Sequence, residues 1–298
     1  MKIGVTIPNH FGVADPQQVI ALGCLAEELD YDSLWVMDHL FNVGYIQQRL
    51  DDKPYYHPLA TLTYLAAVTK RITLGTSVMV LPYHNPVELA KYAATLDQFS
   101  GGRVILGVGA GGMVEEFEAL GIPTSQRAAL SNEAIRVMRE LWTKARASVQ
   151  SKNWRFEDIR FFPKPVQKPH IPIWVGGTSD GAKRRAATLG DGWHPNGMTP
   201  EGYRAACDEV RELAAKAGRA PDMLVMSVRV NVAVGPPSTE RAAARDRLSG
   251  DASQAVDVLS AFQEAGCEHV CLSLDSGDVQ GLEQTMRLFA ADVVPSVR

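Results

Sequence analysis

The chain has 298 residues, 46% of them hydrophobic, and a formal net charge of −4 at pH 7. That is enough apolar material for a large core in a single α/β domain over 1–298. It is too little positive charge, with no long Lys/Arg run, for nucleic acid to be expected as a partner.

Short β-rich runs alternate with helical patterns along the whole chain. Ile3–Ile7 reads as the first strand. Asp15-Pro16-Gln17-Gln18 then reads as an N-cap, a proline at the first helical position and a capping-box glutamine. Val19, Leu22, Ala26 and Leu29 lay one apolar stripe along the helix that follows. Ser33–Met37 is the second strand and Leu59–Thr69 the next helix. Ile72–Val80 is the third strand, followed by a helix at Pro86–Phe99. Val104–Val108 is the fourth, with helical material from Glu115 to Trp142. Ala147 to Lys168 breaks the rhythm: it is polar, then aromatic (Trp154, Phe156, Phe161, Phe162), then punctuated by Pro163 and Pro165. It reads as an insertion at about 147–168 between units four and five, a hairpin over the barrel mouth. Ile173–Val175 is the fifth strand, before a helix at Asp180–Leu189. Gly192-Trp193-His194 is the sixth, before Glu201–Ala217. Leu224–Val234 is the seventh, before Ala252–Ala265. Val270–Leu274 is the eighth, and Leu282–Ala290 closes the chain. Eight such units predict a (β/α)8 TIM barrel. The rival, a doubly wound sheet, calls for Gly-x-Gly-x-x-Gly after the first strand, and none is there.

No apolar run is long enough to span a bilayer, and the first residues are too interrupted for a signal peptide. A cytoplasmic protein with no membrane partner is expected. Cys24, Cys207, Cys267 and Cys271 lack a second ligand pair at metal spacing and read as buried, reduced thiols. No helix carries His-x-x-x-His, and no metal is expected.

Strand side chains alternate between two faces. Leu224, Met226, Val228, Val230 and Val232 should meet the outer helices, so Ser227, Arg229 and Asn231 should look into the barrel. Thr73, Gly75 and Ser77 share a face of the third strand, and Gly107, Gly109 and Gly111 share one of the fourth. A lumen lined by glycine and small hydroxyls leaves room at the mouth for something flat; alternatively, the glycines only allow close strand packing. A barrel's active end is the C-terminal end of its strands. Those ends carry Asn9/His10, Asp38/His39, Ser77 to Pro82, Ala110 to Gly112, Gly176 to Ser179 and His194 to Asn196.

Gly176-Gly177-Thr178-Ser179, between an apolar strand and a helix start, suits a phosphate. Glycines let backbone approach the anion, and the free N–H groups of the first helical turn point at it. The same residues also suit a plain strand-to-helix turn with an ordinary cap. Lys183, Arg184 and Arg185, one turn later, either face solvent or attract the acidic tail of a cofactor. His39 stands out among seven histidines because Asp38 is beside it, and a neighbouring carboxylate can hold a histidine near useful basicity. The loops at the strand ends carry Asn9, His10, Phe11, Phe41, Tyr45, His57, Trp193 and Asn196. They suggest a moderately apolar, planar small-molecule substrate.

The sequence resembles the luciferase-like monooxygenase superfamily, in particular its deazaflavin (coenzyme F420)-dependent branch. The resemblance rests on Asp32-Ser33-Leu34-Trp35-Val36-Met37-Asp38-His39-Leu40, Arg71-Ile72-Thr73-Leu74-Gly75-Thr76-Ser77-Val78 and the run from Ser100 to Gly111. Pro172 to Ser179 and Gly190-Asp191-Gly192-Trp193 also carry it. It implies a homodimeric barrel binding a flavin-like ring at the strand ends, with His39 as the acid/base near hydride transfer. Asp38 would touch the ring or ribityl region, and Ala110 and Gly111 would line the ring. Gly176, Gly177, Thr178 and Ser179 would hold the phosphate end, and a non-prolyl cis peptide at Ser77–Val78 would bulge behind the ring. The chain departs from the family's sugar-phosphate dehydrogenases. They carry a proton-donating glutamate where Gly112 stands here, and Glu115 and Glu116 come later, on the helix. The resemblance therefore implies an F420-dependent oxidoreductase of a small organic substrate. The alternatives are an FMN-dependent monooxygenase and a cofactor-binding barrel without catalysis.

Overall fold

A computed structural model describes residues 1–234, 247–250, 252–275 and 278–298. Eight parallel strands form its centre: β1 (Lys2–Thr6), β2 (Ser33–Val36), β3 (Thr73–Thr76), β4 (Val104–Gly109), β5 (Ile173–Gly176), β6 (Gly192–His194), β7 (Val225–Val234) and β8 (His269–Asp275). Each pairs with the next, and β8 pairs back to β1, so the sheet closes. The molecule is a TIM-barrel α/β fold. Arg247–Gly250 adds a short strand alongside β7.

The outer helices are α1 (Pro16–Glu28), α2 (Gly44–Leu50), α3 (Pro58–Val68), α4 (Pro86–Ser100), α5 (Val114–Ala119), α6 (Arg127–Thr143), α7 (Asp180–Leu189), α8 (Pro200–Lys216), α9 (Ala252–Glu264) and α10 (Val279–Leu288). Several starts are written locally: Asp15, Asn85, Ser179, Thr199 and Asp278 each cap a first turn with a side-chain oxygen. The apolar face of β7 packs into the main core as the alternation predicts.

Inside the barrel the lower layer is aromatic. Trp35, Trp174 and Cys271 form a separate buried cluster, and Trp35 stacks on His194 at 4.9 Å between ring centroids. Gly75 and Gly192 face these indoles so closely that a Cβ at either would collide with them. The small interior residues therefore do two jobs: low in the barrel they admit tryptophan, and only at the mouth do they leave space. His194 and His269 sit in this layer, where burial first and neighbouring positive charge second push each imidazole down to about 3.

Four local expectations change. The third strand breaks at Thr76; a cis peptide follows at Ser77–Val78, and Met79–Val80 then pairs with the end of β4. The helical material from Glu115 to Trp142 divides into α5 and α6 around Gly121, whose φ is +66°. Gly44–Leu50, read as loop, is helical. The insertion does form a hairpin, Ala147–Gln150 against Arg155–Ile159, but not over the mouth. Its continuation binds the flank: Lys164 Nζ donates to the carbonyls of Leu141 and Lys144 at the end of α6. Gln167 Nε2 donates to Asp97 Oδ1 on α4 and to the carbonyl of Val104 where β4 begins. Carbonyls freed at a helix end need donors, and this segment supplies them. The cysteines are free thiols; Cys207, Cys267 and Cys271 are buried, whereas Cys24 is only half-buried.

Candidate active site

A cavity of about 1050 Å³ opens at the C-terminal ends of the strands, lined by residues of β4 to β8 and by the segments that follow β1, β2 and β3. Its floor is Val78, delivered by the cis Ser77–Val78 bond. Cβ atoms built on Gly109 and Gly176 would stand 2.7 and 3.0 Å from the Val78 methyl carbons, so those two glycines are what let the side chain lie there. Ala110 and Gly111 continue the wall.

His39 borders this cavity, but its carboxylate partner is not Asp38. Consecutive residues of extended backbone point to opposite sides, and the two side chains diverge. Asp38 Oδ2 accepts from the Val80 amide at 2.9 Å and lies 2.7 Å from His84 Nε2, while Asp38 Oδ1 is buried without a partner. His39 Nδ1 instead lies 2.7 Å from Glu116 Oε2, on α5. Glu116 is fully buried, and its Oε1 also accepts from the amides of Leu40 at 2.7 Å and Phe41 at 3.3 Å. Burial alone would raise its carboxyl; the hydrogen bonds from His39 and the two amides outweigh it and hold the group below the usual carboxylate range. An ionised carboxylate only accepts, so Nδ1 carries the proton and Nε2 is left as the acceptor of the neutral ring. Nε2 lies 3.1 Å from the hydroxyl of Tyr45, on α2. Neither Glu116 nor α2 was singled out from sequence. The trace available there was Gly111-Gly112-Met113, too short for a further strand, followed by two acids at a helix start.

At the other end stand Gly176, Gly177, Ser179, Ala182, Arg127 and Arg185. Gly177 has φ +101°, and its carbonyl accepts from Trp193 Nε1 at 2.9 Å, which fixes the turn from behind. Ser179 Oγ caps α7 by accepting from the Ala182 amide at 3.2 Å. Thr178 is exposed and does not line the cavity. The basic run splits. Lys183 pairs with Glu209 and Asp180, and Arg184 faces solvent. Arg185 is buried against the cavity, its Nε donating to Asn132 Oδ1 at 2.7 Å.

Of the loop residues expected around a substrate, His10, Phe11, Tyr45 and Asn196 line the cavity. Asn9 is structural, tying Met37 to Tyr56. Trp193 stacks outward on Tyr203 at 5.6 Å. No residue of the insertion reaches the cavity. Among the described residues no group of three or more His, Cys, Asp or Glu is placed to hold a metal, and no helix is long and apolar enough to cross a membrane.

Known proteins share this architecture. An FMNH(2)-dependent dimethylsulfone monooxygenase of Pseudomonas putida is 34% identical over 191 residues, covering 63% of this chain and 51% of its own. An F420-dependent glucose-6-phosphate dehydrogenase of Microbacterium testaceum is 27% identical, covering 99% of each chain. The structure of an F420-dependent secondary alcohol dehydrogenase in complex with an F420-acetone adduct superposes with a TM-score of 0.85 at 21% identity. That match covers 100% of this chain and 99% of the other. The luciferase-like monooxygenase family matches residues 1–273, and the chain belongs to that family.

Proposed function

We propose that this protein is a deazaflavin-dependent oxidoreductase that uses coenzyme F420 to exchange a hydride with a small organic substrate. The observation that carries the reading is the His39–Glu116 pair on the wall of a cavity whose floor is cleared by glycine. The residues fit such a group. Val78, lying against Gly109 and Gly176 and beside Ala110 and Gly111, suits a flat ring. The unpartnered Oδ1 of Asp38 suits a donor on it, and Ser77 lines the same floor. Gly176, Gly177 and Ser179 with Arg185 and Arg127 suit a phosphate and its anionic tail. Thr178 has no part in this arrangement.

When bound, the deazaflavin supplies the carbon that gives or takes a hydride. The chain's own residues move the accompanying proton. His39 accepts it from the substrate's hydroxyl at Nε2, or returns it there in the opposite direction. Glu116 keeps the other ring proton on Nδ1 and stabilises the charged ring while it lasts. The Tyr45 hydroxyl hands the proton onward to solvent. Cavity walls from the strand ends and the segments after them hold the substrate against the ring site, which lowers the entropic part of the barrier.

The relationship to an FMNH(2)-dependent monooxygenase supports a second reading, in which the same cavity takes FMN. Titrating the protein with each compound separates the two. Tight deazaflavin binding with hydride transfer supports the first; tight FMN binding with oxygen consumption, and none of the deazaflavin, reverses the order. A homodimer belongs to the same proposal. Exposed apolar residues on α3, on α4 and near the hairpin, among them Tyr64, Phe99 and Phe162, are consistent with a covered face, and light scattering measures it.

A further inference from the structure

The cavity carries a second cationic end that the proposed function leaves unused. Arg127 and Arg185 stand with the Gly177 turn, but Arg49 lines the opposite side, with His10, Phe11, His39, Tyr45 and Tyr55. Arg49 and Tyr45 lie four residues apart on α2, so they share one face with their Cβ atoms about 5–6 Å apart. Tyr45 is the residue whose hydroxyl meets His39 Nε2. Arg49 is exposed, but its guanidinium is tethered at the cavity rim. Its Nη2 donates to the His10 carbonyl at 2.8 Å, and its carbon lies 5.8 Å from the centroid of the Phe11 ring. Those two contacts orient the planar fork and leave most of its donors open. No carboxylate among the described residues forms an ion pair with it. The other cations nearby are committed or neutral. Arg229 donates to the Ser77 carbonyl at 3.0 Å, and burial, with Arg49 and Arg229 beside it, pushes the His10 imidazole well down.

We propose that Arg49 binds substrate, and that the substrate is a small carboxylic acid bearing a hydroxyl or carbonyl group a few atoms from its carboxylate. The acid end pairs with Arg49, and the oxygen of the reacting group lies at His39 Nε2. A pre-oriented guanidinium is matched to a carboxylate because its parallel N–H donors meet both oxygens at once. Arg49 stands one helical turn from Tyr45, whose hydroxyl marks His39 Nε2, so the two substrate groups are close neighbours on one small molecule. Phe11 and Tyr55 face the body between them; Tyr55 stands 5.7 Å from the His39 ring and 6.2 Å from the His10 ring. This refines the apolar, planar substrate expected from the loop composition. It rests on the reading that His39 is the proton-exchanging group.

The test is a binding titration by calorimetry, done on the free protein and on the protein loaded with whichever of coenzyme F420 or FMN it takes up. The probes are lactate, 3-hydroxybutyrate, mandelate and 3-phenyllactate, each beside its uncharged amide. The expected result is that at least one acid binds tenfold or more tightly than its amide. Arg49→Gln should then abolish that preference, a loss of roughly ten- to a hundredfold for the acid, while leaving the amide unchanged. Should Arg49→Gln fail to fold, judged by circular dichroism, Arg49→Met repeats the measurement with a neutral chain of similar length. If no acid is preferred over its amide, or if the preference survives loss of the Arg49 charge, the proposal is overturned. Coenzyme uptake is scored separately, so a protein that prefers acids through Arg49 but takes up neither coenzyme would sink the oxidoreductase reading alone.

Discussion

Oε2 of Glu116 lies 2.7 Å from Nδ1 of His39, joining the loop after β2 to the helix after β4 across 77 residues of sequence. The same carboxylate holds the Leu40 and Phe41 amides. One buried group therefore sets the histidine's tautomer and the shape of the loop that carries it.

Removing that group should separate the two effects. Glu116→Gln keeps an acceptor for the amides but loses the charge, and turnover should fall roughly tenfold. Glu116→Ala leaves buried donors unpaired and should also lower stability by about 1–3 kcal/mol. Steady-state rates and urea midpoints on both variants check this. The folded carboxyl titrates below its unfolded value, so its contribution is complete above the usual carboxylate range and fades as pH falls through the depressed value. The acidic limb of the rate profile should shift in Glu116→Gln.

His39→Ala should slow turnover by roughly a hundredfold or more while coenzyme affinity stays nearly constant. His39 borders the cavity from the side of Tyr45, away from the Gly177 turn. Unchanged turnover would remove it from the chemistry; a large loss of coenzyme affinity would make it a binding residue instead.

Two neighbouring glycines should fail differently. A Cβ at Gly109 meets the Val78 side chain at 2.7 Å, so Gly109→Ala should push the floor into the cavity and weaken coenzyme binding roughly tenfold in a fluorescence titration. A Cβ at Gly107 collides with the backbone carbonyl of Thr76, which cannot rotate away. Gly107→Ala should instead destabilise the fold by about 3 kcal/mol or more, visible as a lowered denaturation midpoint.

Acid should weaken the barrel from within. His194 and His269 are neutral in the fold, with values near 3 against an ordinary 6.5. Their contribution is complete above the ordinary value and is lost as pH falls below it, because the unfolded chain then binds more protons. Between pH 7 and pH 5 each should cost roughly 2 kcal/mol of stability. A denaturation midpoint independent of pH across that window would show that the two rings do protonate in place.

Much of this architecture is legible locally. Helix starts at Pro16, Pro86 and Asp180 follow from a cap or a proline that acts within one turn, and the β7 alternation tells core from lumen without any partner. Gly177 is likewise readable, because a strand, a glycine turn and a capped helix are consecutive. The third strand was harder: apolar content continues from Ile72 to Val80, while the break at Ser77–Val78 is a matter of backbone geometry that composition does not record. α2 was missed because seven residues without an N-cap hydrogen bond carry little periodicity.

What the sequence determined on its own was the repeated strand–helix unit and, with it, the end of each strand where a site can open, since each depends on interactions within about thirty residues; eight such units imply the barrel, whose closing contact pairs β8 with β1 across the whole chain. Only the tertiary structure decided which carboxylate serves His39, which glycines admit tryptophan and which admit Val78, and which of Lys183, Arg184 and Arg185 faces inward. Those outcomes are set by side chains meeting across strands distant in the chain. A spacing rule along one strand or helix cannot say which of two nearby acids the fold will bring within 3 Å.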